Sequence, residues 1–69
     1  SARIELILDD KPGQLAEVTK LIKNHNVNIL SVVTLKAPTP GKRNCVLRLK
    51  TTELEAIKKE LAGQGFQVI

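Results

Sequence analysis

From Arg3 to Leu8 apolar and polar residues alternate, with Ile4, Leu6 and Leu8 on one side and Arg3 and Glu5 on the other. A period of two predicts a strand over residues 3–8. Ile7 breaks the polarity of the second side. Past Asp9 the spacing lengthens: Leu15, Val18 and Ile22 recur at helical intervals with Ala16 and Leu21 beside them, leaving Gln14, Glu17, Lys20 and Lys23 for solvent. This helix is expected to end near Asn24, in the polar cluster Asn24, His25 and Asn26, where an asparagine can take the left-handed conformation that closes a helix. Residues 27–35 are rich in β-branched side chains and too continuously apolar for a second amphipathic helix, so they read as a strand with apolar residues on both faces.

Pro38, Pro40 and Gly41 mark residues 36–42 as a hairpin loop longer than the tight two-residue kind. Alternation resumes over residues 43–50, with Cys45, Leu47 and Leu49 on one side and Asn44, Val46 and Arg48 on the other. Thr52 and Glu55 have the spacing of a capping box, and Leu54, Ile57 and Leu61 stripe a second helix that Gly63 or Gly65 ends. Phe66 and Val68 then form a short closing strand.

The order strand, helix, strand, strand, helix, strand is the α+β, ferredoxin-like βαββαβ plan, a four-stranded antiparallel sheet with two helices on one face. Ile4, Leu6, Leu8, Ile29, Val33, Leu47, Leu49, Phe66 and Val68 are expected on the sheet side of the core. Ile7, Leu30 or Val32, Val46 and Ile69 are then left on a sheet face without helices. An apolar area of that kind on a small domain marks an interface, so a second protomer or a neighbouring domain is expected to cover it. Pairing of the apolar edge strand 27–35 across a dimer is the other way to satisfy it.

Composition narrows the function. Sixty-nine residues make one domain, spanning residues 1–69, and its opening residues read as a fragment cut from a longer chain. No signal peptide or membrane-spanning run is visible, and the single cysteine, Cys45, excludes an internal disulfide and suits a reducing cytoplasm. The net charge of +4 comes largely from lysines interleaved with glutamates on the predicted helices, a solvated pattern that does not point to nucleic acid. Only one aromatic residue, Phe66, is present, so bases would have no stacking platform. No metal-ligand spacing surrounds His25 or Cys45, no cofactor motif is present, and no nucleophile, base and acid arrangement is evident, so an enzyme is not expected.

What remains is the stretch Asp9–Leu15. It is a strand-to-helix turn whose backbone N–H groups face outward, Pro12 suiting the start of the helix and Gly13 allowing close approach. Asp9 and Asp10 could cap those donors, or an anionic ligand could take their place.

Asp10-Lys11-Pro12-Gly13-Gln14-Leu15, followed after one helix by Asn26-Val27-Asn28-Ile29, resembles the signature of ACT domains, small regulatory modules that bind amino acids. The resemblance runs from Arg3 to Ile69. Within that family the chain is most similar to the module that follows a pair of CBS domains in bacterial acetoin-utilisation proteins. The resemblance implies a ligand at an interface between two domains, held by Asp10, Pro12, Gly13, Gln14 and Leu15 of the turn and by Asn28 at the start of the second strand, the two segments meeting at one end of the sheet. Backbone donors at Gly13, Gln14 and Leu15 suit a carboxylate, and Asp10 or Asn28 suits an ammonium group. Leu8 stands where some amino-acid-binding members carry a polar residue.

Two functions follow. The first is a non-catalytic regulatory domain, a homodimer that binds a small amino acid or related metabolite at its interface and serves a flanking domain of the parent chain. The second is an assembly module without a ligand.

Overall fold

The computed structural model describes residues 2–69. Its elements are β1 (Ala2–Asp9), α1 (Gln14–Asn24), β2 (Asn28–Lys36), β3 (Lys42–Lys50), α2 (Leu54–Gly63) and β4 (Gln67–Val68). All neighbouring strands are antiparallel, in the order β2-β3-β1-β4, so β2 and the two-residue β4 are the edges. This is the βαββαβ plan expected from the hydrophobic pattern.

Directly opposed residues of an antiparallel pair lie on one face. Ile4 opposes Leu47 and Leu6 opposes Cys45, and these side chains with Leu8 and Leu49 meet Val18, Leu21 and Ile22 of α1 and Ile57 and Leu61 of α2 in a single buried cluster. Both helices therefore cover the same face. Ile7, opposite Asn44, and Val46, opposite Glu5, lie on the other.

The register of β2 corrects part of the expected core. Ile29 pairs with Leu49 but Ser31 pairs with Arg48, so Leu30 is an extra residue, a β-bulge. Beyond it the parity of the strand inverts. Val32 opposes Leu47 and belongs to the helix-bearing face, whereas Val33 opposes Val46 and belongs to the open one. Val33 is accordingly 48% exposed instead of lying in the core. The open face holds Leu30, Val33 and Leu35, all exposed, and Val32 is not part of it.

Both helices end in the same way. Asn26 (φ 58°) and Gly65 (φ 93°) take left-handed conformations just past the last turns. Asn26 N–H donates to the Lys23 carbonyl at 2.8 Å and Val27 N–H to Ile22 at 3.4 Å; Gly65 N–H donates to Ala62 and Phe66 N–H to Leu61, each at 3.0 Å. These are two Schellman motifs, which satisfy carbonyls the helices leave open and fold Val27 and Phe66 back onto the core.

The starts differ from the sequence expectation. The Thr52–Glu55 capping box does not form: α2 begins after Glu53 with no side-chain cap, and the Thr51 hydroxyl accepts the Glu53 N–H at 2.9 Å. Asp9 and Asp10 do not cap α1 either, because Gly13 is its N-cap and no side chain bonds there.

Candidate functional site

The turn between β1 and α1 is built around Gly13. Its φ of 91° belongs to the left-handed region, and an added Cβ would meet no other atom within 4 Å, so backbone conformation rather than crowding demands the glycine. The turn is tied down on two sides. Asp10 N–H donates to the Gly41 carbonyl of the β2–β3 hairpin at 2.9 Å, and Asp9 N–H donates to Gln14 Oε1 at 3.3 Å. The helical ladder opens with Glu17 N–H on the Gly13 carbonyl at 3.1 Å, so the preceding N–H groups of α1 lie outside it.

Beside this turn lies a cavity of about 150 Å³, lined by Leu8, Asp9, Asp10, Lys11, Gln14, Leu15, Thr34 and Arg43. Leu8 and Leu15 supply apolar walls that continue into the core. Larger hollows exist, one of about 300 Å³ between the helices and one of about 490 Å³ beside His25. Both are rimmed mainly by exposed polar chains, without the convergence of an apolar floor, a turn and fixed charges seen beside the β1–α1 turn.

The charges at the turn are ordered. Lys42 Nζ donates to Asp9 Oδ1 at 2.5 Å, with Lys11 3.9 Å from Oδ2. The Lys42 hydrogen bond, followed by its charge, holds the Asp9 carboxyl below its usual value. Arg43 donates instead to neutral acceptors, the Thr34 carbonyl at 3.2 Å and the Thr34 hydroxyl at 3.4 Å.

Of the residues singled out from sequence, Asp10, Gln14 and Leu15 line this cavity, while Pro12 and Gly13 shape the turn without lining it. Asn28 is not beside it within one chain. It pairs with Lys50, whereas Lys36 at the other end of β2 pairs with Arg43, so the eight intervening steps of strand put Asn28 roughly 26 Å away. The expected meeting of the two segments at one end of the sheet therefore does not occur inside the chain. Thr34, Lys11 and Arg43 were missing from the sequence-derived site. Arg43 left a signal: it is in phase with the buried row Cys45, Leu47 and Leu49, a charge where the pattern calls for an apolar side chain.

A family model described as the TTHA0829-like ACT domain matches residues 1–69. The chain belongs to the ACT-domain family. Members of this family are generally regulatory, ligand-binding modules. No curated protein matches the ACT domain described here. Among solved structures it is similar to the small subunit of acetolactate synthase from Thermotoga maritima, with 25% identity and a TM-score of 0.80 over 97% of this chain and 42% of that one. It also shares its fold with protein BT0572 from Bacteroides thetaiotaomicron, at 16% identity and a TM-score of 0.78 over 100% of this chain and 45% of that one. The chain thus spans less than half the length of either.

Away from the turn, Cys45 is fully buried, and loss of solvent pushes its thiol pKa up, as befits a packing residue. His25 Nε2 is hydrogen-bonded to Glu60 Oε2, joining the end of α1 to α2. Among the described residues no three His, Cys, Asp or Glu side chains come together to hold a metal, and no helix is long and apolar enough to cross a membrane.

Proposed function

We propose that this ACT domain is a non-catalytic sensor that holds a small amino acid or related metabolite at the β1–α1 turn, in a site completed by a second copy of the chain. The observation that carries this reading is the position of Thr34, which lines the cavity and belongs to the edge strand β2. A cavity of about 150 Å³ is half the size of the smallest ordinary ligand pockets, roughly 300 Å³, and through Thr34 it reaches the edge strand, with which another strand could pair. If two β2 edges pair antiparallel about a twofold axis, Asn28 of the partner subunit arrives at the Lys36 end of β2, the end of the sheet that carries the cavity. Separation within one chain then becomes proximity between two.

The chemistry fits an amino acid. Open N–H groups at the start of α1 suit the carboxylate, and Asp10 with Asn28 of the partner subunit suits the ammonium. Leu8 serves as an apolar floor. Binding would favour whichever subunit arrangement brings the two halves together, because only differential affinity shifts such an equilibrium. Domains flanking the module in its parent chain, a CBS pair among them, would receive that shift.

The second reading, an assembly module without ligand, draws on Leu30, Val33 and Leu35, exposed together on the open face. The Asn44 Oδ1 atom on that face is buried and has no hydrogen-bond partner among the described residues. Titration calorimetry with the twenty common amino acids, at concentrations where sedimentation shows the dimer, separates the two. Saturable heat with at least one supports the sensor; silence with all of them leaves the assembly module.

A further inference from the structure

Arg43 is a cation without an acid. Three ion pairs form among the described residues, Arg3–Glu5, Lys11–Asp9 and Lys42–Asp9, and Arg43 is in none of them. It projects from the start of β3 on the helix-bearing face, opposite Leu8 and beside Lys36, which faces it across the β2–β3 ladder. There it forms one wall of the cavity whose other wall is the β1–α1 turn.

The charges of the cavity do not close without a ligand. Asp9 and Asp10 are matched in number by Lys11 and Arg43 among the lining residues, but Asp9 is already bonded to Lys42 from outside. One positive charge is left over. A monocarboxylic amino acid is a neutral zwitterion and would leave that excess in place. A dicarboxylic one carries a net single negative charge and would cancel it.

We infer that the preferred effector is a small amino acid with an acidic side chain, whose second carboxylate is received by the Arg43 guanidinium. This rests on the cavity being the ligand site. The α-carboxylate and ammonium engage the turn, the short aliphatic stem crosses Leu8 and Leu15, and the distal carboxylate meets the guanidinium fork that Thr34 holds in place. Arginine suits the task because its planar fork can donate two parallel hydrogen bonds to one carboxylate. Thr34 would act as the positioning residue through its carbonyl and hydroxyl.

The test compares isosteres on the unaltered dimer by calorimetry: aspartate against asparagine, glutamate against glutamine, and leucine as the apolar reference. At least one acid is expected to bind about ten- to a hundredfold more tightly than its amide, the scale of a charge-assisted hydrogen bond. Arg43→Gln should abolish this discrimination, and Arg43→Lys should keep only part of it. Amides or leucine binding as tightly as the acids would overturn the assignment of Arg43 while leaving the amino-acid site standing. Failure of all five, with binding of some other amino acid, would overturn this inference alone; failure of every amino acid would overturn this inference and the sensor reading together. Because the isostere comparison uses the native chain, it stands even if Arg43→Gln unfolds.

Discussion

Gly13 is held in a conformation that a residue with a Cβ adopts at a cost of roughly 1–2 kcal/mol, so Gly13→Ala should lower stability to denaturant by about that amount. Since nothing crowds the position, no further packing penalty is expected. A second residue-scale outcome concerns Asp9. Its carboxyl is depressed by Lys42 in the folded chain, so the pair contributes above the ordinary carboxylate value of 3.8 and loses its contribution as pH falls through the folded value. Lys42→Met should therefore destabilise at neutral pH, with the difference from the parent shrinking in strong acid. It should also return the Asp9 titration, followed by NMR, toward the ordinary value. At this scale the sequence was readable at Gly13 and silent at Asp9, whose partner is thirty-three positions away. Arg43 stood between: its phase with Cys45 was visible, but its meaning needed the facing turn.

Among the elements, α2 shows best how local and tertiary forces divide the work. It begins without a side-chain cap, and its stability comes from burying Ile57 and Leu61 and from the Schellman ending at Gly65. Leu61→Ala should cost about 2–5 kcal/mol, a large share of what a domain of this size possesses, and thermal or urea unfolding would show it. Element order and helix ends were legible because apolar periodicity and residues tolerant of positive φ are written locally. The capping box failed because the spacing of Thr52 and Glu55 says nothing about where the chain leaves β3. The inversion in β2 was hidden for another reason. Val32 and Val33 are adjacent and identical, so one extra residue at Leu30 exchanges their faces without changing the pattern. Only the register with β3 reveals it.

At the scale of the whole molecule, one face of the sheet is packed under helices and the other presents Leu30, Val33 and Leu35. With the bulge placed, Val33 is the residue to charge. Val33→Lys should abolish a self-associated form that sedimentation detects for the parent, while leaving the helical circular dichroism intact. A parent that sediments as a monomer at high micromolar concentration would remove the second copy from the proposal. Ligand present at a hundred times its dissociation constant should raise stability by about 2.7 kcal/mol, read as an upward shift of the melting temperature.

The distance between Asn28 and the β1–α1 turn has a consequence for how such a sensor responds. If the ligand is held between the turn of one copy and Asn28 of the partner subunit, as proposed, no single copy can read it, and two copies read it twice, at sites joined end to end by one strand pair. Apparent affinity then rises with the abundance of the protein itself. Dilution silences the response, and metabolite and protein concentration are registered as a product rather than separately.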